Sequence, residues 1–277
     1  MTTNLTTKNI NTWCPGCYNF MILAAAQKAI SELIKDGKAK HEDFAMTTGI
    51  GCHAKIFDYI NISGIYGLHG RTIPTAIGIK LGNPNLKVLA FAGDGDTYAE
   101  GMEHFIHAAR HNADISLIVH DNRTFSLTTG QSTPTTQQGY KNKAEPLGEF
   151  DKPLNPIKLA LAAGAGFVAR VYAKDIAYMT EVFKKAIEYK GFAFVEVIQP
   201  CLIFNVPDFN ELNKAVYKID NKDDLKKAEE LSEIWDYNKH AGKIPLGIFY
   251  NKSGKSLEEE WPQLEHLLKK KVGWKGK

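Results

Sequence analysis

The sequence predicts an α/β fold: a mainly parallel sheet with helices on both faces, followed by a C-terminal extension. Three observations predict it. Short apolar runs alternate with longer segments of helical period between Phe44 and Ile198, as in successive βαβ units. The runs at Val88–Ala92 and Ile115–Val119 are apolar throughout, as strands covered on both faces are. Polar clusters, Gly93-Asp94-Gly95-Asp96 and Asp121-Asn122, follow those two runs directly. They fall beyond the carboxyl ends of their strands, where open α/β sheets hold ligands.

In chain order, residues 1 to 13 form a polar, extended lead-in. Trp13-Cys14-Pro15-Gly16-Cys17 makes a tight turn, and Asn19 to Lys35 a helix rich in Ala, Ile and Leu that ends at Asp36-Gly37. Phe44 to Thr48 is a short strand entering Gly49-Ile50-Gly51-Cys52. Leu68-His69-Gly70-Arg71 leads to a small-residue helix, Thr75 to Leu81, whose Ala76 and Gly78 permit close packing on the sheet. Val88 to Ala92, a glycine turn carrying Asp94 and Asp96, a helix from Tyr98 to about His111, and Ile115 to Val119 compose one βαβ unit. Arg123 to Phe150 is long, polar and poor in core residues. Because it starts at the ligand end, it reads as a binding loop. Pro156–Ala163 (helix), Phe167–Val171 (strand), Asp175–Tyr189 (helix) and Phe192–Ile198 (strand) then alternate, the last meeting Pro200-Cys201.

Beyond about Pro207 the character changes. Asn221 to Asp236 and Leu257 to Lys271 read as charged helices, and Ile244 to Tyr250 as an apolar segment packing back on the body. Apolar residues are too few there for a separate core. Residues 1–207 therefore form the domain, and 208–277 an extension packed on it.

The chain has 277 residues, 44% hydrophobic and 23% charged, with a net charge of +3, an ordinary soluble composition. Its basic excess is helical Lys mixed with Glu, not a nucleic-acid stripe. The first residues lack the apolar core of a signal peptide, and no apolar run reaches membrane-spanning length. A cytoplasmic protein with neither nucleic-acid nor membrane partner is expected. Four cysteines, Cys14, Cys17, Cys52 and Cys201, in that setting favour metal or redox use over disulfides.

Two constellations carry chemistry. In the first, glycines Gly93 and Gly95 let backbone N–H groups approach a diphosphate, and a helix starting after Asp96 adds partial positive charge. Mg²⁺ takes oxygen ligands; Asp94 and the Asn122 side chain supply two, and a backbone carbonyl near Thr124 a third. The plain reading is two Gly/Asp turns closing βα connections. The second constellation is Cys14-x-x-Cys17 with Cys52 and Cys201, each at a turn or strand end on the same side of the sheet. Both Zn²⁺ and a 4Fe–4S cluster accept four thiolates. Placement beside the diphosphate site favours the cluster.

The segments WCPGC (13–17), GIGC (49–52), LHGR (68–71), GIKLGNPNLKV (78–88), GDGD (93–96), IVHDN (118–122), LTTGQSTPT (127–135) and PLGIFY (245–250) resemble, in order, the β subunit of 2-oxoacid:ferredoxin oxidoreductases. The resemblance spans residues 11 to 250. It implies a thiamine-diphosphate-binding fold of the pyrophosphate-domain type, with Mg²⁺ held by Asp94 and Asn122. It also implies one 4Fe–4S cluster held by Cys14, Cys17, Cys52 and Cys201. By match, Gly51, Cys52, His69, Gly93, Gly95 and Asp96 border the cofactor, Leu127 and Thr128 line the thiazolium, and Lys55 is a candidate for holding the 2-oxoacid carboxylate. The implied reaction is oxidative decarboxylation of a 2-oxoacid, of 2-oxoglutarate or pyruvate type, with coenzyme A taking the acyl group and ferredoxin the electrons. The HGR and NPNLKV segments lean toward 2-oxoglutarate.

Thiamine enzymes also need a Glu on a second module that this chain lacks. The resemblance thus implies an α (or α and γ) partner subunit. Three departures stand out. Asp121 replaces the usual first Asn, His53-Ala54 replaces Ser-Gly or Ser-Ser, and Thr129 replaces Lys. Competing readings are a non-redox thiamine decarboxylase subunit, and a non-catalytic protein with a structural zinc site.

Two motifs are decoys. Gly164 to Ala169 matches GxGxxA, but follows a helix and enters a strand, reversing the dinucleotide order. His104, His107 and His111 share helical spacing without a carboxylate pattern, and read as a partly buried helix face.

Overall fold

The computed structural model describes residues 4–207, 209–221, 223–238, 242–264 and 269. Its strands are β1 (Phe44–Thr48), β2 (Ser63–Tyr66), β3 (Lys87–Gly93), β4 (Ser116–Asp121), β5 (Phe167–Tyr172), β6 (Ala193–Ile198), β7 (Val216–Lys218) and β8 (Ile244–Asn251). Its α-helices are α1 (Asn19–Lys35), α2 (Thr72–Gly82), α3 (Asp94–Tyr98), α4 (Met102–His111), α5 (Pro156–Ala162), α6 (Ile176–Glu188), α7 (Phe209–Ala215), α8 (Leu225–Ser232) and α9 (Leu257–Glu260). The strands form one sheet in the order β2-β1-β3-β4-β6-β5-β8-β7. From β2 to β5 every pairing is parallel. The extension adds β8 antiparallel to β5, and β7 parallel to β8.

Strand periodicity divides the core between the two faces. Leu89 and Phe91 of β3 pack with α1 and α6 through Ile22, Ala26, Ile30 and Phe183. Val88, Ala90 and Ala92 pack with α2, α4 and α5 through Ala76, Phe105 and Ile157. Both faces are covered, so β3, β4, β5 and β6 are almost wholly buried and read as unbroken apolar runs. A third, smaller cluster joins the extension's Leu212, Trp235, Tyr237, Ile244 and Leu246 to Tyr172 and Ile198 at the carboxyl ends of β5 and β6.

Register aligns the ligand edge. Gly93 pairs with His120, and Asp121 with Ile198. Asp94, Asn122 and the Gln199-Pro200-Cys201 segment therefore leave the sheet at one end, beside Gly49 to Cys52 after β1. Among the described residues no helix is long and apolar enough to cross a membrane.

Four expectations need correction. GDGD is not a turn: β3 runs through Gly93, and α3 begins at Asp94 itself. The crossover helix is two helices, α3 and α4, parted at Ala99 to Gly101. The break admits the His69-Gly70 loop, since a Cβ on Gly70 would sit 2.2 Å from the Glu100 carbonyl oxygen. The charged helix expected at 221–236 is confined to Leu225–Ser232, capped by the Asp224 side chain. After it the chain turns inward to bury Trp235 and Tyr237. The helix expected at 257–271 starts with a Ser256/Glu259 capping box but is interrupted at Trp261, which Pro262 holds extended, and residues 262–264 and 269 are helical again. Residues 265–268, 270 and 271 of that expectation lie outside the described residues. By contrast, α5 ends in Ala163 and a left-handed Gly164 (φ +88°) before β5, the helix cap that removes the GxGxxA decoy.

Candidate active site

A cleft opens at the carboxyl ends of β1, β3 and β4. Each residue assigned to cofactor binding lines it: Gly51, Cys52, His69, Gly93, Asp94, Gly95, Asp96, Asn122, Thr124, Leu127 and Thr128. Lys55 lies outside it. Its ammonium donates to the Thr12 carbonyl at 3.2 Å, and its charge acts on the thiols of Cys52 and Cys17.

Asp94, the first residue of α3, is 2% exposed. Its Oδ2 accepts from the Thr133 hydroxyl at 2.6 Å and lies 3.0 Å from the Thr135 hydroxyl. Both threonines come from the Arg123–Phe150 loop, which thereby folds back on the cleft. Burial pushes the Asp94 carboxyl up, and the two hydroxyls partly offset this. Thr135 Oγ1 also lies 2.9 Å from Asp121 Oδ1, and one hydroxyl proton serves one carboxylate at a time. Burial, then the Asp94 and Glu196 charges, push Asp121 well up. Asp121 keeps the size and planar shape of the Asn it replaces but not the two N–H donors of the amide.

Asn122 closes the turn after β4. Its Oδ1 accepts from Thr124 N at 3.1 Å and keeps a second lone pair. Between them Arg123 is left-handed (φ +60°). Thr124 and Phe125 both bond the Gln131 carbonyl, tying off a short hairpin whose tip carries Leu127 and Thr128 at the cleft rim. The Phe125 ring packs where a Cβ on Gly95 would lie, at 2.2 Å, so residue 95 must be glycine for the hairpin to close on α3.

Asp96 faces away from a metal-ligand role. Its oxygens accept from Gly70 N (2.6 Å) and the Thr72 hydroxyl (2.8 Å), fastening the Leu68–Arg71 loop to α3. His69 is exposed at the rim, Nδ1 3.5 Å from Glu100.

Two histidines in the cleft escaped the motif reading. In the sequence His53 stands as a departure beside Cys52, and His120 as the residue before Asp121. His53 packs against Gly51 and Gly93, where a Cβ would lie within 3 Å of its Nδ1. His120 sets Nδ1 2.8 Å from Asn19 Oδ1, and burial holds its pKa well below the usual value. His53 Nε2 stands 3.5 Å from Asp96 Oδ2, while His120 Nε2 is buried without a hydrogen-bond partner among the described residues.

The four thiols gather at the adjoining corner. Cys17 N bonds the Cys14 carbonyl at 3.0 Å across Gly16 (φ +76°). Trp13 Nε1 donates to the Cys52 carbonyl at 2.6 Å, Gln199 Nε2 reaches Cys17 Sγ at 3.8 Å, and Phe204 N reaches Cys201 Sγ at 3.4 Å. Burial pushes the Cys52 thiol up to about 11; Lys55 opposes this and the other three thiols add to it. Among the described residues no three His, Cys, Asp or Glu side chains close round a point that would hold one metal ion. That includes the helical histidines. His104 bonds Arg71 at 2.8 Å, while His107 and His111 are exposed and do not form the partly buried face expected.

Comparison with known proteins accords with this geometry. Residues 49–197 match the family of the thiamine pyrophosphate enzyme C-terminal TPP binding domain. The chain is 42% identical over 262 residues to the 2-oxoacid:ferredoxin oxidoreductase subunit beta of Saccharolobus solfataricus, covering 90% of this chain and 85% of that one. It is 36% identical to the 2-oxoglutarate synthase subunit KorB of Methanocaldococcus jannaschii, covering 93% of each. Among solved structures it is similar to the 2-oxoglutarate:ferredoxin oxidoreductase of Magnetococcus marinus with 2-oxoglutarate, coenzyme A and succinyl-CoA bound. That match has a TM-score of 0.88 and 31% identity, and covers 98% of this chain and 91% of that one.

Proposed function

Because the chain belongs to the β subunits of the 2-oxoacid:ferredoxin oxidoreductases, we propose that it works with an α (or α and γ) subunit in the coenzyme A-dependent oxidative decarboxylation of a 2-oxoacid. Electrons leave through a 4Fe–4S cluster to ferredoxin. The observation that carries this reading is that Cys52 belongs to both sites: it lines the cleft and stands among the four thiols. The named relatives favour 2-oxoglutarate over pyruvate as substrate.

The residues fit the groups this requires. Asp94 and Asn122 offer a carboxylate and an amide oxygen at adjacent strand ends, with the Thr124 carbonyl nearby, the oxygen set Mg²⁺ takes. Gly93, Gly95 and the N-terminus of α3 suit a diphosphate. The orphaned Nε2 of His120 is what a polar ligand would complete. Thiamine diphosphate, when bound, supplies the electron sink for decarboxylation. The chain's own work is to hold that cofactor between α3 and the Asn122 turn, with Leu127 and Thr128 at the rim. A cubane takes one thiolate per iron, and the four free cysteines supply that number. Lys55, beside Cys52 and off the cleft, suits a counter-charge to the thiolates better than a clamp on the substrate. His69, with Glu100 at the rim, is the nearer candidate for substrate contact.

The test is anaerobic purification with and without the large subunit. The complex should absorb near 400 nm, bleach with dithionite, and reduce methyl viologen only with a 2-oxoacid, coenzyme A and the partner present. A colourless, zinc-loaded chain, or turnover by the isolated chain, would refute this assignment.

A further inference from the structure

The extension sends Trp235 and Tyr237 into the body behind the Asp121–Arg123 turn. Trp235 is 4% exposed and Tyr237 fully buried, their rings stacked at 4.1 Å. Two guanidinium groups share that indole: Arg170 lies 4.9 Å and Arg123 5.5 Å from the ring centroid. Arg170 is itself anchored. Its Nε donates to Glu196 at 2.7 Å, and the Tyr237 hydroxyl bonds the same carboxylate at 2.7 Å and also bonds Arg170. The indole therefore joins a fixed ion pair in β5 and β6 to the residue that follows Asn122.

Arg123 needs such restraint. It is a non-glycine residue with φ +60°, a conformation that persists only where the surroundings over-determine it. Its N–H donates to Asp121 Oδ1 (3.1 Å), its Nε to the Thr135 carbonyl (2.9 Å), and its own carbonyl accepts from Thr136 and Asn205. The flat face of the guanidinium is left to Trp235, the best aromatic partner for a cation. A narrow cavity lined by Asn122, Arg123 and Trp235 adjoins the turn, so shrinking the indole would give the turn room to relax.

We propose that Trp235 is a positioning residue for the cofactor site: through Arg123 it fixes the direction of the Asn122 amide oxygen. The inference rests on Asp94 and Asn122 being metal ligands, and the experiment separates the two. Mn²⁺, standing in for Mg²⁺, is titrated by electron paramagnetic resonance into the complex of this chain with its large subunit, in the presence of thiamine diphosphate. Trp235→Leu should weaken Mn²⁺ about tenfold, the scale of outer-shell ligand partners, and Trp235→Phe should restore most of that loss. Leu246→Ala, in the same small cluster, should lower the melting temperature comparably and leave the affinity within about twofold. Arg123→Lys, which keeps the charge and loses the flat stack, should behave as Trp235→Leu and serves if that variant fails to fold. Wild-type affinity in Trp235→Leu or Arg123→Lys, or equal weakening by Leu246→Ala, overturns the inference. Unchanged affinity in Asn122→Ala overturns instead the metal-ligand reading on which it rests.

Discussion

At the cleft, the side chains fit to hold a metal are already tied in place. Asp94 is braced by Thr133 and Thr135, and Asn122 by Thr124 N. At the thiol corner next to it, four cysteines arrive from three separate turns with only weak sulfur contacts between them and the chain. The difference follows from donor chemistry. A carboxylate or amide oxygen accepts strong hydrogen bonds, so the fold can organise it before any ligand arrives. A neutral thiol is a weak donor and acceptor, and burial raises Cys17 and Cys52 further from their thiolates. On the proposed reading, the cluster that deprotonates them would also organise them. One site is built by the protein, the other by its ligand.

The comparison breaks most visibly if the two sites are energetically one. Cys52→Ser or Cys201→Ser should remove iron and cut methyl viologen reduction by about 100-fold or more, because a hydroxyl does not replace a cluster thiolate. Mn²⁺ affinity at the cleft should stay within about threefold. Parallel loss of both, read by iron analysis and Mn²⁺ titration on the same samples, would merge the two sites.

Next in size, Asp94→Asn should weaken Mn²⁺ by about 30- to 100-fold yet stabilise the ligand-free chain by about 1 kcal/mol, since a buried carboxyl with a raised pKa is costly to ionise. The pH dependence has a definite sign. Asp94 and Asp121 both have raised folded pKa values, so the folded state binds more protons than the unfolded chain. Their contribution is fully present below the usual aspartate pKa of 3.8 and is lost as pH rises toward the folded value, by up to about 1.4 kcal/mol per pH unit per group. The melting-temperature gain of Asp121→Asn over wild type should therefore widen as pH rises above about 4. A gain that is constant or narrows with pH would show that Asp121 is ionised in the native chain.

A smaller effect sharpens the thiol side. With its pKa at about 11 against an ordinary 9.0, Cys52 has about 100-fold less thiolate at pH 8, partly offset by higher intrinsic nucleophilicity. Iodoacetamide should label it in the metal-free chain about tenfold more slowly than a model thiol, and peptide mass spectrometry gives the rate. Labelling as fast as the model thiol would mean that Lys55, not burial, governs that corner.

How much of this was legible follows from which forces act locally. Strands β3, β4 and β6 were readable because burial on both faces leaves an unbroken apolar run. Strand β2 was not, since Ser63–Tyr66 is exposed along its length and carries no such signal. The parting of α3 from α4 was invisible because its cause, Gly70 against Glu100, is a contact between remote segments. Asp94, Asn122 and the cysteines were legible as residue types at fixed spacings. The bracing by Thr133 and Thr135 and the burial of His120 against Asn19 were not, because the loop and α1 reach the cleft only through tertiary folding. Trp235 was hidden for the same reason: it lies within a segment that reads as a charged helix.

The smallest effect is expected where a metal pattern was suggested by spacing alone. His107 and His111 lie on the solvent side of α4, their rings 5.8 Å apart. Neither has a carboxylate partner among the described residues, and neither touches the cleft. His104 differs in being bonded to Arg71, so it belongs with the loop that borders the site. Replacing His107 and His111 together by Gln keeps length and polarity while removing both imidazoles. On an exposed helix face this should change stability by no more than about 0.5 kcal/mol and leave Mn²⁺ affinity and iron content as in wild type. A change in either metal measurement would mean that helical spacing had created a third site, and the contrast between a site built by the fold and one built by its ligand would then have to include it.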